Sequence, residues 1–118
     1  MFILKKIVNG RINVPEPEYL PTKASTSYTE GQALVLSSGK LVAASGTTKP
    51  THISMKNYAA PATDNKDLPV MRIERNMVFE VEATAGTAVG AKLTVDGCTD
   101  VATVVEVVDS TKYLVIIE

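Results

Sequence analysis

The sequence lacks tryptophan and has few of the residues that build reactive or base-stacking surfaces. Its 118 residues include one cysteine, one histidine, four tyrosines and two phenylalanines. One cysteine excludes an internal disulfide framework, and one cysteine with one histidine cannot form a nitrogen–sulfur zinc site within one chain. The low aromatic content argues against a platform on which single-stranded nucleic acid stacks its bases. We therefore expect no metal and no cofactor.

An excess of charge of one sign is also missing, as is any long apolar run. Twelve basic residues face thirteen acidic ones, which gives a net charge of −1. Binding to nucleic acid through its phosphates requires a surplus of lysine and arginine. No stretch approaches the ~20 apolar residues of a membrane-spanning helix, and the lysines near the start follow the apolar residues, unlike those of a signal peptide. We expect a soluble protein, made in the cytoplasm, that binds neither nucleic acid nor a membrane.

The few residues that could carry chemistry are poorly arranged for it. His52 lies on an alternating strand, opposite its apolar face, so its side chain is predicted to point to solvent or a subunit contact. Cys98 has no cation nearby in sequence, which favours an inert, partly buried thiol over a reactive one. Glu80 and Glu82 are about 7 Å apart by strand rise, within the range of paired glycosidase carboxylates. Because the chain offers few aromatic residues for a sugar platform, we expect a solvated strand face and no enzyme.

What the sequence does contain is a repeated β-strand pattern. Short segments alternate apolar and polar residues, or are rich in valine and isoleucine, and turn signals such as Ser38-Gly39 and Asp96-Gly97 separate them. The predicted strands are residues 2–8, 33–36, 41–44, 51–57, 68–75 with their continuation 77–82, 92–95, 101–108 and 113–117. About eight short strands predict an all-β fold, either a small β-barrel or a sandwich. The last strand, apolar throughout, is predicted to be central, and one helical turn is conceivable near Tyr58.

The first thirty residues differ in character from the rest. Pro15, Pro17 and Pro21 exclude a central strand or a helix, because proline lacks the N–H donor and fixes φ. We predict two regions: residues 1–30, an N-terminal strand followed by an extended proline-containing arm, and residues 31–118, the barrel or sandwich body. The alternative is that the arm is a flexible linker between the first strand and the body.

Part of the body resembles a known family. Residues 31–54 read GQALVLSSGKLVAASGTTKPTHIS, and the segments LPVMRI (68–73) and MVFE (77–80) follow. This series is similar to the small head-decoration, or cement, proteins encoded beside the major capsid genes of tailed bacteriophages and prophages. The resemblance covers residues 31 to about 82, and residues 90–97 and 104–117 match more loosely. Residues 1–30 have no counterpart in it.

The resemblance implies a structural function without catalytic residues. Such proteins bind the outside of an expanded capsid, often as trimers, and stabilise it, so the implied partner is a phage major capsid protein and the implied location is the virion exterior. We predict that residues 2–8, which show no obvious partner within the chain, add as a strand to a capsid subunit or a neighbouring copy, helped by the arm. The predicted partner-binding residues are Phe2, Ile3, Leu4, Ile7, Val8, Val14, Tyr19 and Leu20.

Three alternatives remain open from the sequence. The chain could be a small β-barrel binding module for carbohydrate or a cell surface, although such a module needs exposed aromatic residues. It could be a subunit of another phage assembly, such as the tail. A small enzyme would require a deep pocket that places His52 beside a carboxylate.

Overall fold

The fold is all-β, as the alternation predicts. The computed structural model describes residues 1–7, 16–62, 66–74, 76–83 and 87–117. Across these ranges there are twelve strands and no helix. The strands are β1 (Ile3–Ile7), β2 (Glu18–Pro21), β3 (Ser27–Tyr28), β4 (Ala33–Ser37), β5 (Lys40–Ala43), β6 (His52–Ser54), β7 (Tyr58–Ala59), β8 (Asp67–Arg72), β9 (Met77–Glu82), β10 (Lys92–Val95), β11 (Cys98–Val107) and β12 (Lys112–Ile117).

The strands form three antiparallel sheets. The first sheet has the order β1-β9-β12-β11-β10, the second sheet has the order β2-β8-β6-β4-β5, and the short sheet pairs β3 with β7. The predicted central position of the last strand is confirmed, since β12 lies third of five in the first sheet. Most of its residues are buried, which explains why the segment is apolar throughout.

Two predicted hairpins form with the expected two-residue turns. In the β4–β5 hairpin, Ser37 pairs with Lys40, and the turn residues Ser38 and Gly39 have φ angles of 51° and 79°. Both angles are positive, as the turns that match the twist of paired strands require. The β10–β11 hairpin is built in the same way at Asp96-Gly97, where φ is 51° and 81°.

The first core lies between the two large sheets. From the first sheet it takes side chains such as Phe79, Val104 and Val115, and from the second sheet it takes Ala33 and Ile53. The second sheet therefore presents alternate residues of one strand to two different cores. In β4, for example, Ala33 faces the first core and the next residue, Leu34, faces the second.

The second core lies on the other face of the second sheet, which curls around it. An isolated parallel bridge joins Thr22, just after β2, to Leu41 in β5, so the two edges of this sheet touch without forming a closed barrel. Inside the curl, Leu34, Leu41 and Val70 pack with Tyr28 of the short sheet. The architecture is a sandwich of two sheets, one of them strongly curled.

A second isolated bridge connects the two large sheets at Cys98. Gly46, in the loop after β5, accepts a hydrogen bond from Thr99 N–H at 2.7 Å and donates one to the Gly97 carbonyl at 2.9 Å. The Cys98 thiol is fully buried and lies 3.4 Å from the Ala44 carbonyl. Burial raises the pKa of this thiol, and the nearby negative charge of Asp96 raises it further. These properties match the inert thiol expected from the sequence.

Within the first thirty residues, the described ranges 1–7 and 16–30 are integrated into the sheets more fully than the sequence indicated. The strands β1, β2 and β3 pair with β9, β8 and β7 respectively. Tyr58 belongs to β7 instead of a helical turn, so that suggestion was wrong. The strand count rises from about eight to twelve for two reasons. The predicted segment 68–82 divides into β8 and β9, and three further strands of two to four residues owe their existence to long-range pairing, which leaves no periodicity to detect.

Candidate binding edges

The N-terminal strand β1 is anchored in the molecule. It pairs antiparallel with β9, from Ile3 opposite Glu80 to Ile7 opposite Met77, with an irregularity between Leu4 and Lys6. The expectation that residues 2–8 lack a partner within the chain is therefore wrong for the described part of the segment. Sequence reasoning could not find this partner, because the paired residues of β1 and β9 lie seventy or more positions apart and share no local signal.

Phe2 holds the start of this strand. Its side chain is buried in the first core and meets the ring of Phe79 edge-on, with 5.9 Å between centroids and 85° between planes. Its backbone N–H donates to the Gly31 carbonyl at 2.9 Å. A side chain held in this way is part of the core and cannot reach a partner. Phe2 therefore does not lie on the partner-binding surface that the sequence predicted.

The remaining predicted residues of β1 divide between two faces. Leu4 and Ile7 pack against the first core, whereas Ile3 is 45% exposed on the outer face of the first sheet. The outer edge of β1 is the end of that sheet, so it has no paired strand among the described residues. Ile3 and this free edge are the parts of β1 that another protein could contact.

Charges and an irregular register protect the edge of β1 from indiscriminate pairing. Lys5 and Lys6 are both exposed, and the Lys5 amine lies 3.2 Å from the Glu80 carboxylate. Lysines and bulges on edge strands are devices by which proteins avoid aggregation through their sheets. A partner at this edge must therefore accommodate two cations, which favours an acidic surface.

The strand β2 forms the corresponding edge of the second sheet. Tyr19 is 61% exposed there, while the next residue, Leu20, packs against the second core. Glu18 accepts two hydrogen bonds from Arg72, one from Nε at 2.7 Å and one from Nη2 at 3.1 Å. This bidentate pair holds the pKa of the exposed Glu18 carboxyl below its usual value and ties β2 to β8.

The eight predicted partner-binding residues are thus spread over two sheets. Ile3 and Tyr19 are exposed, Phe2 is buried, and Leu4, Ile7 and Leu20 pack against the cores. Val8 and Val14 lie outside the described residues. Of the predicted residues that the structure describes, the exposed ones are therefore a single side chain on an edge strand of each large sheet. They do not form one continuous arm.

Sequence reasoning missed an apolar surface on the β11–β12 hairpin. Val105, Val107 and Val108 are exposed beside its tip. The tip is held by Asp109, whose carboxylate accepts hydrogen bonds from the backbone N–H groups of Thr111 at 2.8 Å and Lys112 at 2.9 Å. The dense run of valines predicts a strand, but a β-branched run does not indicate which of its residues extend past the core.

The prediction for His52 was wrong. Its position opposite the first core is as expected, but this face of β6 is covered, and the side chain is 4% exposed. The reason is that the curled second sheet buries both of its faces around its central strand. Alternation of apolar and polar residues identifies the two faces of a strand, but only tertiary structure decides whether the second one meets water.

A groove opens at the end of the second sheet next to His52. It has a volume of about 670 Å³, and its walls include Leu36, Pro50 and Ile117 with the charged residues Lys49 and Glu74 at the same site.

The glutamate pair considered from the sequence lies in the first sheet. Glu80 forms an ion pair with Lys5, and Glu82 is exposed opposite Lys112 in the adjacent strand. Both glutamates therefore have lysines near them, in keeping with a solvated, charge-balanced strand face.

In the described part of the chain, no three histidine, cysteine, aspartate or glutamate side chains are grouped so that they could hold a metal ion. The same residues include no candidate for a membrane-spanning helix. The fold and its exposed edges place the chain in a broad class, the small all-β proteins with two packed sheets. Comparison with known families, curated proteins and solved structures finds no match that would narrow this class.

Proposed function

We propose that this protein is a structural, non-enzymatic component of a phage head that binds the outer surface of the capsid and stabilises it. Its partner in this proposal is the major capsid protein, and a homotrimer is the favoured assembly. The sequence resemblance over residues 31–82 supports the family, and these residues supply four of the five strands of the second sheet. A tail subunit, the alternative, would use the same edges. Binding to capsids or to tail tubes distinguishes the two.

The observation that carries the proposal is that β1 is ordered and has an exposed edge. The strand is anchored through Phe2 and leaves Ile3 exposed beside a free edge. A surface that is already ordered loses little conformational entropy on binding, so even a modest contact contributes net affinity. On an icosahedral shell the same contact is repeated many times, and avidity follows if copies are linked to one another.

The exposed aromatic surface is small, which favours adhesion to protein over adhesion to sugar. Phe2, Tyr28, Phe79 and Tyr113 are all buried, Tyr58 is half-buried against the second core, and Tyr19 is exposed. Carbohydrate-binding surfaces use aromatic faces to stack on sugar rings, and a single tyrosine provides one such face. The carbohydrate-binding alternative therefore receives no support from the placement of these side chains.

The binding test uses expanded capsids assembled from the major capsid protein of the same genome. The full chain is expected to co-sediment with them, and electron cryomicroscopy is expected to place its density outside the shell. Failure to bind these capsids, or binding to isolated tail tubes instead, would overturn the proposal. A major capsid gene beside the gene for this chain is the expected genomic context.

The contribution of β1 is tested by a point substitution, because deleting the strand would remove the core residue Phe2. We expect Ile3→Lys to weaken capsid binding about tenfold or more, as loss of an interface anchor does, without changing the fold. The matched control is Val89→Lys, since Val89 is 65% exposed away from β1. Equal binding by the two variants would remove β1 from the interface.

A further inference from the structure

His52 occupies an unusual position for the only histidine of the chain. It lies in β6, the central strand of the second sheet, directly opposite Leu34 on β4 and Arg72 on β8. Directly opposite residues of an antiparallel pair project from the same face, so His52 is flanked by an apolar side chain on one side and a cation on the other. Leu34 is fully buried, and His52 is 4% exposed.

The two ring nitrogens of His52 have different surroundings. Nδ1 lies 2.8 Å from the hydroxyl oxygen of Thr51, with which it shares a hydrogen bond. Nε2 is buried and has no hydrogen-bond partner among the described residues. A neutral imidazole tolerates this arrangement at the cost of one unsatisfied polar atom. A protonated imidazole carries N–H donors on both nitrogens, so its charged Nε2–H group would be buried without an acceptor.

The charges around His52 offset only part of the cost of burying a cation. On β8, Arg72 repels an imidazolium, and on β2, Glu18 attracts it, but Glu18 already accepts two hydrogen bonds from Arg72. The β4 neighbour Leu34 is uncharged, and Lys49 and Glu74 lie in the walls of the adjoining groove. Loss of solvent is the largest influence and lowers the pKa of His52. The Glu18 charge comes next and raises this pKa, and the Arg72 charge, the smallest of the three influences, lowers it.

We propose that His52 is an acid-sensitive latch of the second sheet: its protonation separates β6 from its neighbours at the end beside the groove, while the first sheet stays folded. Opening toward the groove hydrates the charged Nε2–H group, which removes the largest cost of protonating His52. The first sheet lacks histidine altogether, so protonation of histidine acts on the second sheet alone. This latch does not depend on capsid binding.

The direction of the pH effect follows from proton linkage. A histidine whose pKa is lowered by folding binds protons more readily in the unfolded chain, whose histidine pKa is about 6.5. The stabilisation by neutral His52 is therefore fully present above that pH. It is lost as the pH falls below it, until the lower pKa of the folded state is reached.

The test begins with the natural sequence, because a single histidine gives a single imidazole signal in proton NMR. The Cε1 proton is expected to titrate with a midpoint below 6.5, and the unfolding equilibrium constant in urea is expected to rise by up to tenfold per pH unit below that value. Hydrogen exchange, corrected for its intrinsic pH dependence, should show faster opening of Ile53 and Ser54 amides in acid than of those in β12. A midpoint at or above 6.5 would overturn the proposal without any variant.

Substitutions then assign the effect to the imidazole. His52→Gln remains neutral at every pH, so we expect its stability to change less between pH 7.5 and 5.5 than that of the natural chain. In Glu18→Gln, the attraction to the imidazolium is removed, and the His52 midpoint should fall further. An identical pH slope in His52→Gln and the natural chain, or an unchanged midpoint in Glu18→Gln, would contradict the assignment.

Discussion

The two cores of this protein are built on different principles. The first core is made of apolar side chains from both large sheets. Of the residues that the structure describes, three polar ones are buried, Thr22, His52 and Ser54, and all belong to the second sheet or its margin. Two of these residues donate to backbone carbonyls, Thr22 to Lys66 at 2.7 Å and Ser54 to Lys56 at 2.7 Å. The first core therefore depends on apolar burial, and the second depends in addition on satisfied hydrogen bonds.

The difference follows from curvature. A sheet that curls until its edges touch brings loop and edge residues to its interior, and their polar groups must then find partners within the fold. The Tyr28 hydroxyl illustrates this, since it accepts a hydrogen bond from Lys23 N–H at 2.9 Å and donates one to the Leu41 carbonyl at 2.6 Å. One side chain thereby connects the segment after β2 to β5, the two sides that meet at the bridge.

The largest effect is expected from truncation in the first core. Phe79 is fully buried and in contact with Phe2, so Phe79→Ala should lower the free energy of unfolding by about 3–5 kcal/mol through lost burial and a cavity. Urea denaturation measures this loss. The control, Leu36→Ala, changes an exposed apolar residue and should stay within about 0.5 kcal/mol. A small loss at Phe79 would mean that the first core is not the main source of stability.

A smaller effect is expected where β1 meets the second sheet, at Gly31. This glycine has a φ of +83°, and an added Cβ would lie 3.1 Å from the Phe2 carbonyl oxygen and in conflict with the Met1 side chain. Gly31→Ala should therefore cost about 2–4 kcal/mol, from both backbone strain and crowding. The measurement is again urea denaturation, with hydrogen exchange in β1 to show where the structure loosens.

Gly39→Ala is the matched control for Gly31→Ala. Gly39 has a φ of +79° but nothing within 4 Å of its added Cβ, so it isolates the backbone strain, about 1–2 kcal/mol. The difference between the two variants measures how tightly Phe2 is seated. Equal losses would show that β1 moves aside at little cost, which would weaken the argument that it is an ordered binding edge.

The smallest effect is expected from removing one hydroxyl in the second core. Tyr28→Phe keeps the ring and leaves the Leu41 carbonyl and Lys23 N–H without their partner, at a cost of about 1–2 kcal/mol. Tyr19→Phe, on an exposed ring, should change stability by less than about 0.5 kcal/mol. A loss no larger at Tyr28 than at Tyr19 would mean that the polar contacts of the second core contribute little, and the contrast between the cores would disappear.

The strands and turns of the body could be predicted because their signals are local. Alternation in Met77–Glu82 and the dipeptides Ser38-Gly39 and Asp96-Gly97 depend on side-chain direction and turn geometry within a few residues. The candidate binding residues were predicted less well. Exposure of Ile3 and burial of Phe2 in the same segment depend on β9, which local sequence does not specify.

The sequence by itself determined that this chain is all-β and where most of its strands lie. Only the tertiary structure decided which strands share a sheet, that β1 is an anchored edge, and that His52 is buried. The physical reason is that alternation and turn preference act between neighbours in the chain. Sheet order, curvature and burial arise from contacts between distant segments, whose combined free energy no short pattern encodes.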